Sequence, residues 1–238
     1  MSASGVNPGG GFATTRWSQV VQAGGGGGEG RAALEWLCRA YWEPLRRHAA
    51  RRGWREPEDA VQDFWLRLIE RGSLVAADPA KGRFRAWLLA CLNHHLADRA
   101  AAAAALKRGG GSASVPIGEG EGCVPVAVSD PDPDFDRAWA EAMLARARAR
   151  LVREHAEPEQ ARRFQRLERF LDGNGDGAAY ARAAAELGVG ESAIKVAVHR
   201  LREHFRACLR AEVAETLAEP SAAAVDAELA DLLASLGG

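Results

Sequence analysis

The chain of 238 residues has room for one large domain or two small ones. With 47% apolar and 26% charged residues, it can bury a core, which argues against wholesale disorder. Its formal net charge of −1 hides a segregation that emerges when the elements are taken in order.

Residues 1–30 are a Gly-rich extension, expected to be mobile apart from one short helix between Phe12 and Val21. From Arg31 the apolar positions Leu34, Leu37, Cys38, Tyr41 and Trp42 recur at three- and four-residue steps, the period of a helix. Pro44 predicts a kink or a fresh start, and Gly53 a stop. A second helix is expected from about Glu56 to Arg71, with Pro57 and acids at its start, where the helix dipole favours them. Gly72–Gly82 reads as a loop and Arg83–Lys107 as a long third helix. Residues 109–136 are rich in Gly, Pro and acids and are expected to be an extended linker. Four more helices are predicted over Phe135–Glu154, Glu159–Leu171, Ala178–Leu187 and Glu191–Leu217. After Pro220 a last amphipathic helix carries Val225, Leu229, Leu232, Leu233 and Leu236 on one face. No strand pattern emerges, so the predicted fold is all-α. It comprises two helical modules, 31–108 and 137–217, joined by the acidic linker and followed by an acidic tail, 218–238.

Charge follows these divisions. Residues 31–108 hold 15 basic and 9 acidic side chains, residues 109–136 hold none and 6, residues 137–210 hold 15 and 10, and residues 211–238 hold none and 6. Two basic modules alternating with acidic segments point to a polyanion partner for which the acids can compete.

The sharpest local signal is Ala184-Ala185-Glu186-Leu187-Gly188-Val189-Gly190-Glu191-Ser192-Ala193-Ile194. A helix-turn-helix needs a small residue where its helices cross, a glycine turn and an apolar residue packing back. Ala184, Gly188 and Ile194 meet those demands in order. At 100° per residue, Ile194, Ala197, Val198, Leu201, Phe205, Cys208 and Leu209 share one broad face. Ser192, Lys195, Val196 and His199 point the other way, with Arg200 and Arg202 at the margins. Such a helix suits base edges in the middle and phosphates at the sides.

In the third helix Leu88, Leu89, Leu92 and Leu96 form one stripe, and Trp87 lies nearly opposite. A Trp there either packs on another element or stacks on an unpaired base. Arg83, Arg85, Arg99, Lys107 and Arg108 could hold phosphates, and the Asn93 amide could read a base edge.

Two clusters imitate metal sites. Cys91, His94, His95 and Asp98 share about 100° of one helix, but a single straight helix rarely supplies four ligands. Asp172–Gly177 copies the start of a calcium loop, yet Ala183 stands where the bidentate Glu is required. No metal, cofactor or catalytic arrangement is expected. Cys38, Cys91, Cys123 and Cys208 have no redox or zinc spacing, the N-terminus lacks signal-peptide character, and no apolar run approaches the ~18 residues of a membrane helix. A cytoplasmic protein without a membrane partner is expected.

These residues resemble a known family, the bacterial extracytoplasmic-function sigma factors of RNA polymerase. Pro57-Glu58-Asp59-Ala60-Val61-Gln62-Asp63-Phe64-Trp65-Leu66-Arg67-Leu68 is similar to the family's region 2.2. Phe84–Asn93 with Ala97-Asp98-Arg99 is similar to regions 2.3 and 2.4, and Leu187–Arg202 to region 4.2. Phe12–Ser18, Ala40–Leu45, Asp78–Arg85 and Ile194–Arg202 resemble the longer variant frequent in planctomycetes.

The resemblance implies a non-enzymatic transcription initiation subunit. Core RNA polymerase would be bound by Glu58, Asp59, Gln62, Asp63 and Leu66. The melted minus-ten element would be held by Arg83, Arg85, Trp87, Asn93, Arg99, Lys107 and Arg108. The minus-thirty-five element would be read by Ser192, Lys195, Val196, His199, Arg200 and Arg202. An anti-sigma protein is a further partner that the family allows. The sequence departs from the family around Ala145–Leu171, at Tyr180-Ala181-Arg182 and at Ala197. The stretch after Pro220 lies beyond the common family, and its acidic, Leu-striped helix is expected to fold back on the second module and restrain DNA binding. The first rival reading is a stand-alone helix-turn-helix regulator that binds duplex DNA as a dimer, and the second is an enzyme with Cys91, His94, His95 and Asp98 as a metal site.

Overall fold

A computed structural model describes residues 28–77, 83–107, 132–173, 175–217 and 220–237. The expected Phe12–Val21 helix, the Asp78–Gly82 motif, Arg108, most of the acidic linker and Cys123 lie outside them.

The described residues are all-α. The first helix, α1, spans Gly28–Arg51, α2 spans Pro57–Glu70, and a 3-10 turn follows at Ser73–Ala76. Helix α3 spans Phe84–Lys107 and α4 Pro133–Glu154. The short α5, Pro158–Leu167, runs into a 3-10 turn at Glu168–Phe170. Helices α6, Gly177–Leu187, and α7, Glu191–Ala214, form the helix-turn-helix. The last, α8, spans Ala222–Leu236.

The helix starts follow from their caps. Pro57, Pro133 and Pro158 each occupy a first turn, where a missing N–H costs nothing. Asp132, Asp176 and Ser221 accept from the Phe135, Ala179 and Ala224 amides, satisfying N–H groups the helices leave orphaned. Of the kink or fresh start expected at Pro44, the fresh start does not occur, and one boundary moves. Pro44 lies inside α1 without ending it; its ring sits in a buried stretch with Tyr41 and Leu45, and their packing outweighs one missing hydrogen bond. Pro133 starts α4 two residues earlier than the Phe135 boundary predicted, inside the expected linker.

The two expected modules share an interface. Helix α4, assigned by sequence to the second module, packs against α1 of the first as well as against α7 and α8. The buried residues form one cluster, from Ala33 and Leu37 in α1 through Trp139 and Met143 in α4 to Val225 and Leu232 in α8. An apolar row at four-residue steps along α4, Phe135, Trp139, Met143, Ala147 and Leu151, is buried, and with elements of both halves packed on it this helix is the spine between them. No helix is long and apolar enough to cross a membrane among the described residues.

Candidate nucleic-acid interface

The helix-turn-helix forms where the sequence placed it. Gly188 takes φ 64°, the left-handed conformation that ends α6, and Val189 N–H donates to the Ala184 carbonyl at 3.0 Å, closing the helix end. Ala183 and Ala184 are buried opposite Ile194, Ala197 and Val198; small side chains on α6 let α7 approach closely. The outer face of α7 stays open. Ser192, Lys195, His199 and Arg200 are exposed, as is Val196 at 50%. Lys195 and Arg200 make no ion pair among the described residues. Arg202 is the exception within the predicted set: its guanidinium donates to the Phe170 carbonyl at 2.8 and 3.1 Å. It ties α7 to the end of α5 and is not presented for phosphate.

At the stretch that copies the start of a calcium loop, residues 171–173 form a turn. Gly173 takes φ 80°, and Asp176 spends its carboxylate on the cap of α6, accepting from Ala179 N–H at 2.7 Å.

On α2, the buried side is Ala60, Val61, Phe64, Trp65 and Leu68. The outer side presents Glu58, Asp59 and Gln62 with Leu66 50% exposed and Ile69 also exposed. Apolar groups flanked by acids and an amide form a face that no other element covers among the described residues, with Glu58 at its edge 3.2 Å from Arg46 Nη1. Asp63 departs from this face. Its Oδ2 lies 3.3 Å from both His95 Nε2 and Arg99 Nη1 and 3.5 Å from Arg67 Nε, so it joins α2 to α3.

The third helix differs most from expectation. Arg85 is 6% exposed. Its Nε donates to Asp136 at 2.8 Å, its Nη1 pairs with Glu228, and its guanidinium lies 4.6 Å from the Trp139 ring centroid. Burial opposes its charge, but the Glu228 and Asp136 carboxylates win and hold its pKa above the ordinary value. Arg83 Nε lies 2.9 Å from Glu228, and its Nη2 pairs with Asp231. Asn93 does not face an open pocket: its Oδ1 is 2.7 Å from His48 Nε2, and His48 Nδ1 is 3.0 Å from Asp132. Arg99 lies over Trp54 at 5.3 Å besides pairing with Asp63. Trp87 stacks on Phe84 at 5.6 Å and is partly buried against the core. Its buried Nε1–H has no hydrogen-bond partner among the described residues. Lys107 ends the helix.

The first metal-like cluster disperses. Cys91 and His95 are buried in the core, while His94 points outward to Asp98 at 3.6 Å. Sequence reading missed a different group. Glu154 at the end of α4 meets His204 and Cys208 of α7, with one ligand atom of each within 4.8 Å of the others. The signal available was a His and a Cys four residues apart on one helix; Glu154 was invisible because fifty residues separate it from them. Sequence reading also missed the seam between α1 and α4, where Arg47 meets Glu141 at 2.6 Å and Arg51 meets Asp132 at 3.2 Å.

Comparison with family models, with characterised proteins and with solved structures found no match for the chain.

Proposed function

We propose that this chain is a dissociable promoter-specificity subunit of bacterial RNA polymerase, of the extracytoplasmic-function sigma type, acting without chemistry of its own. The observation that supports the reading is the pairing, in one chain, of a helix-turn-helix whose outer face is exposed with a second face on α2 that no other element covers among the described residues. The first suits duplex DNA: Lys195 and Arg200 for phosphates, Ser192, His199 and Val196 toward base edges. The second, Leu66 and Ile69 among Glu58, Asp59 and Gln62, suits a protein partner. A free-standing regulator has no use for that second face. The motif similarity of residues 57–68 and 84–99 to the sigma family points the same way.

The purified chain is expected to co-migrate with core RNA polymerase in gel filtration. Loss of co-migration in the Asp59→Ala/Gln62→Ala variant, with its fold intact, places the contact on α2. A dimer that ignores core polymerase and binds duplex DNA unaided overturns the proposal in favour of the stand-alone regulator.

A further inference from the structure

We propose that α8 is an acidic clasp that occupies, within the same chain, the surface on α3 that takes single-stranded DNA. This deepens the reading above and rests on it. The two arginines that open α3 face carboxylates of the C-terminal half. Glu228 lies between them, 2.9 Å from Arg83 Nε and paired with Arg85 Nη1, and Asp231 pairs with Arg83. Glu228 is itself 6% exposed. A carboxylate buried against two guanidiniums replaces water on both, as a phosphate would. The helix is held there by apolar groups: Val225 and Leu232 are buried, α8 packs on α4 and α7, and Arg210 of α7 pairs with Asp226.

The clasp continues along the seam. Asp136 takes the other side of Arg85, Asp132 takes His48 and Arg51, and Glu141 takes Arg47. Basic groups of the first module therefore meet acids of the linker's end, the second module and the tail, and a strand of DNA has to displace them. A tethered competitor lowers apparent affinity by the fraction of molecules in which it is bound. The charge segregation of the sequence gains a physical purpose: the acidic tail is the internal substitute for the polyanion.

The test uses the full chain and a short fluorescein-labelled single-stranded oligonucleotide, read by anisotropy. Glu228→Gln/Asp231→Asn is expected to bind about tenfold more tightly than the wild type at low salt, with the gain shrinking as salt rises. Adding Arg83→Gln to that variant is expected to remove most of the gain. Asp231→Asn alone, at a half-exposed position, is expected to give a smaller gain and covers the case in which the double variant fails to fold. Unchanged affinity in the folded acid-to-amide variants overturns the clasp. Core co-migration of the same variants is measured separately. Co-migration with unchanged DNA affinity overturns the clasp and leaves the polymerase reading standing. A gain in DNA affinity without co-migration keeps the clasp and overturns the polymerase reading.

A different observation carries a second inference, independent of the first: the geometry points to a thiolate-containing transition-metal site at Glu154, His204 and Cys208. His204 and Cys208 stand one turn apart on α7, and Glu154 Oε2 lies 2.6 Å from His204 Nε2 and 3.6 Å from Cys208 Sγ. Cys, His and carboxylate are the ligand types of zinc and cobalt(II). The carboxylate is oriented from behind: Arg150 Nε donates to its other oxygen at 3.1 Å, and Glu212 balances that arginine at 3.6 Å. Such support is usual around metal ligands. Glu154 and His204 are about two-fifths exposed, which leaves room for water as a fourth ligand. Titrating the full chain with cobalt(II) is expected to give one equivalent bound, with a thiolate-to-cobalt charge-transfer band. Cys208→Ser is expected to abolish the band, and His204→Ala to weaken binding at least tenfold. Absence of the band, or its persistence in Cys208→Ser, overturns the site.

Discussion

Two residues show how much a single position decides here. Gly175 precedes α6, and a Cβ on it would lie 2.9 Å from both Phe170 Cδ1 and Tyr180 Cε2. Those rings stack at 4.6 Å, and Phe170 is fully buried, so neither yields cheaply. Gly175→Ala is expected to cost about 1–3 kcal/mol, whereas Gly177→Ala, with nothing within 4 Å, is expected to be neutral or slightly stabilising; urea unfolding of the two compares them directly. His95 is the second case. It is buried against Phe64, and its pKa is pushed down to about 4 by burial, with Arg67 and Arg99 acting the same way against Asp63 and Asp98. Because the folded value lies below the unfolded one, protonation favours the unfolded chain. The stabilisation is fully present above about pH 6.5 and is lost as pH falls toward 4. His48, also lowered by burial first, contributes with the same sign. Urea midpoints are expected to fall across that window by on the order of 1–3 kcal/mol of stability, and His95→Gln is expected to flatten the fall.

At the scale of elements, what was legible was local. The helix-turn-helix could be read because a small residue, a glycine and an apolar stripe occur at fixed offsets, and the buried face of α7 contains Ile194, Ala197, Val198, Leu201, Cys208 and Leu209, six of the seven predicted; Phe205 is half-buried. Helix ends marked by Pro57 and Gly188 were legible for the same reason. The fate of Pro44 was not, since propensity carries no information on the packing that overrides it. Nor were the partners of Arg85, Asn93 and Arg202, because each is an arginine or amide on a helix margin, and sequence periodicity does not say what another element brings to that margin. The α2 face allows function to be separated from stability. Leu66 is half-exposed and makes no core contact, so Leu66→Ala is expected to leave stability within about 0.5 kcal/mol while weakening core-polymerase binding about tenfold. Asp63→Ala is expected to lower both, because its carboxylate joins α2 to α3 by accepting from Arg99 Nη1 at 3.3 Å.

For the whole molecule the decisive feature is that one core spans both halves, so closing the chain and covering α3 are one event. Two kinds of interaction hold α8 in that closed state, and their magnitudes differ. Val225 and Leu232 are at most 4% exposed, and burying such side chains is worth about 1.5–3 kcal/mol each. The Arg83–Asp231 pair is partly exposed on both sides, where ion pairs give about 0–1 kcal/mol. The Arg85–Glu228 pair is buried, so its attraction is largely offset by the cost of removing both charges from water. Apolar seating therefore supplies the stability, and the acids decide which surface is covered. Thermal unfolding distinguishes the two roles. For a chain of this length, 1 kcal/mol moves the midpoint about 2–4 °C. Leu232→Ala, which empties a fully buried site, is expected to lower it by about 5–10 °C. Asp231→Asn is expected to move it by less than about 2 °C and yet to raise the affinity for single-stranded DNA. Equal thermal losses in both variants would mean that the carboxylates hold the helix in place as much as the leucines do, and that screening by salt alone is enough to open the chain.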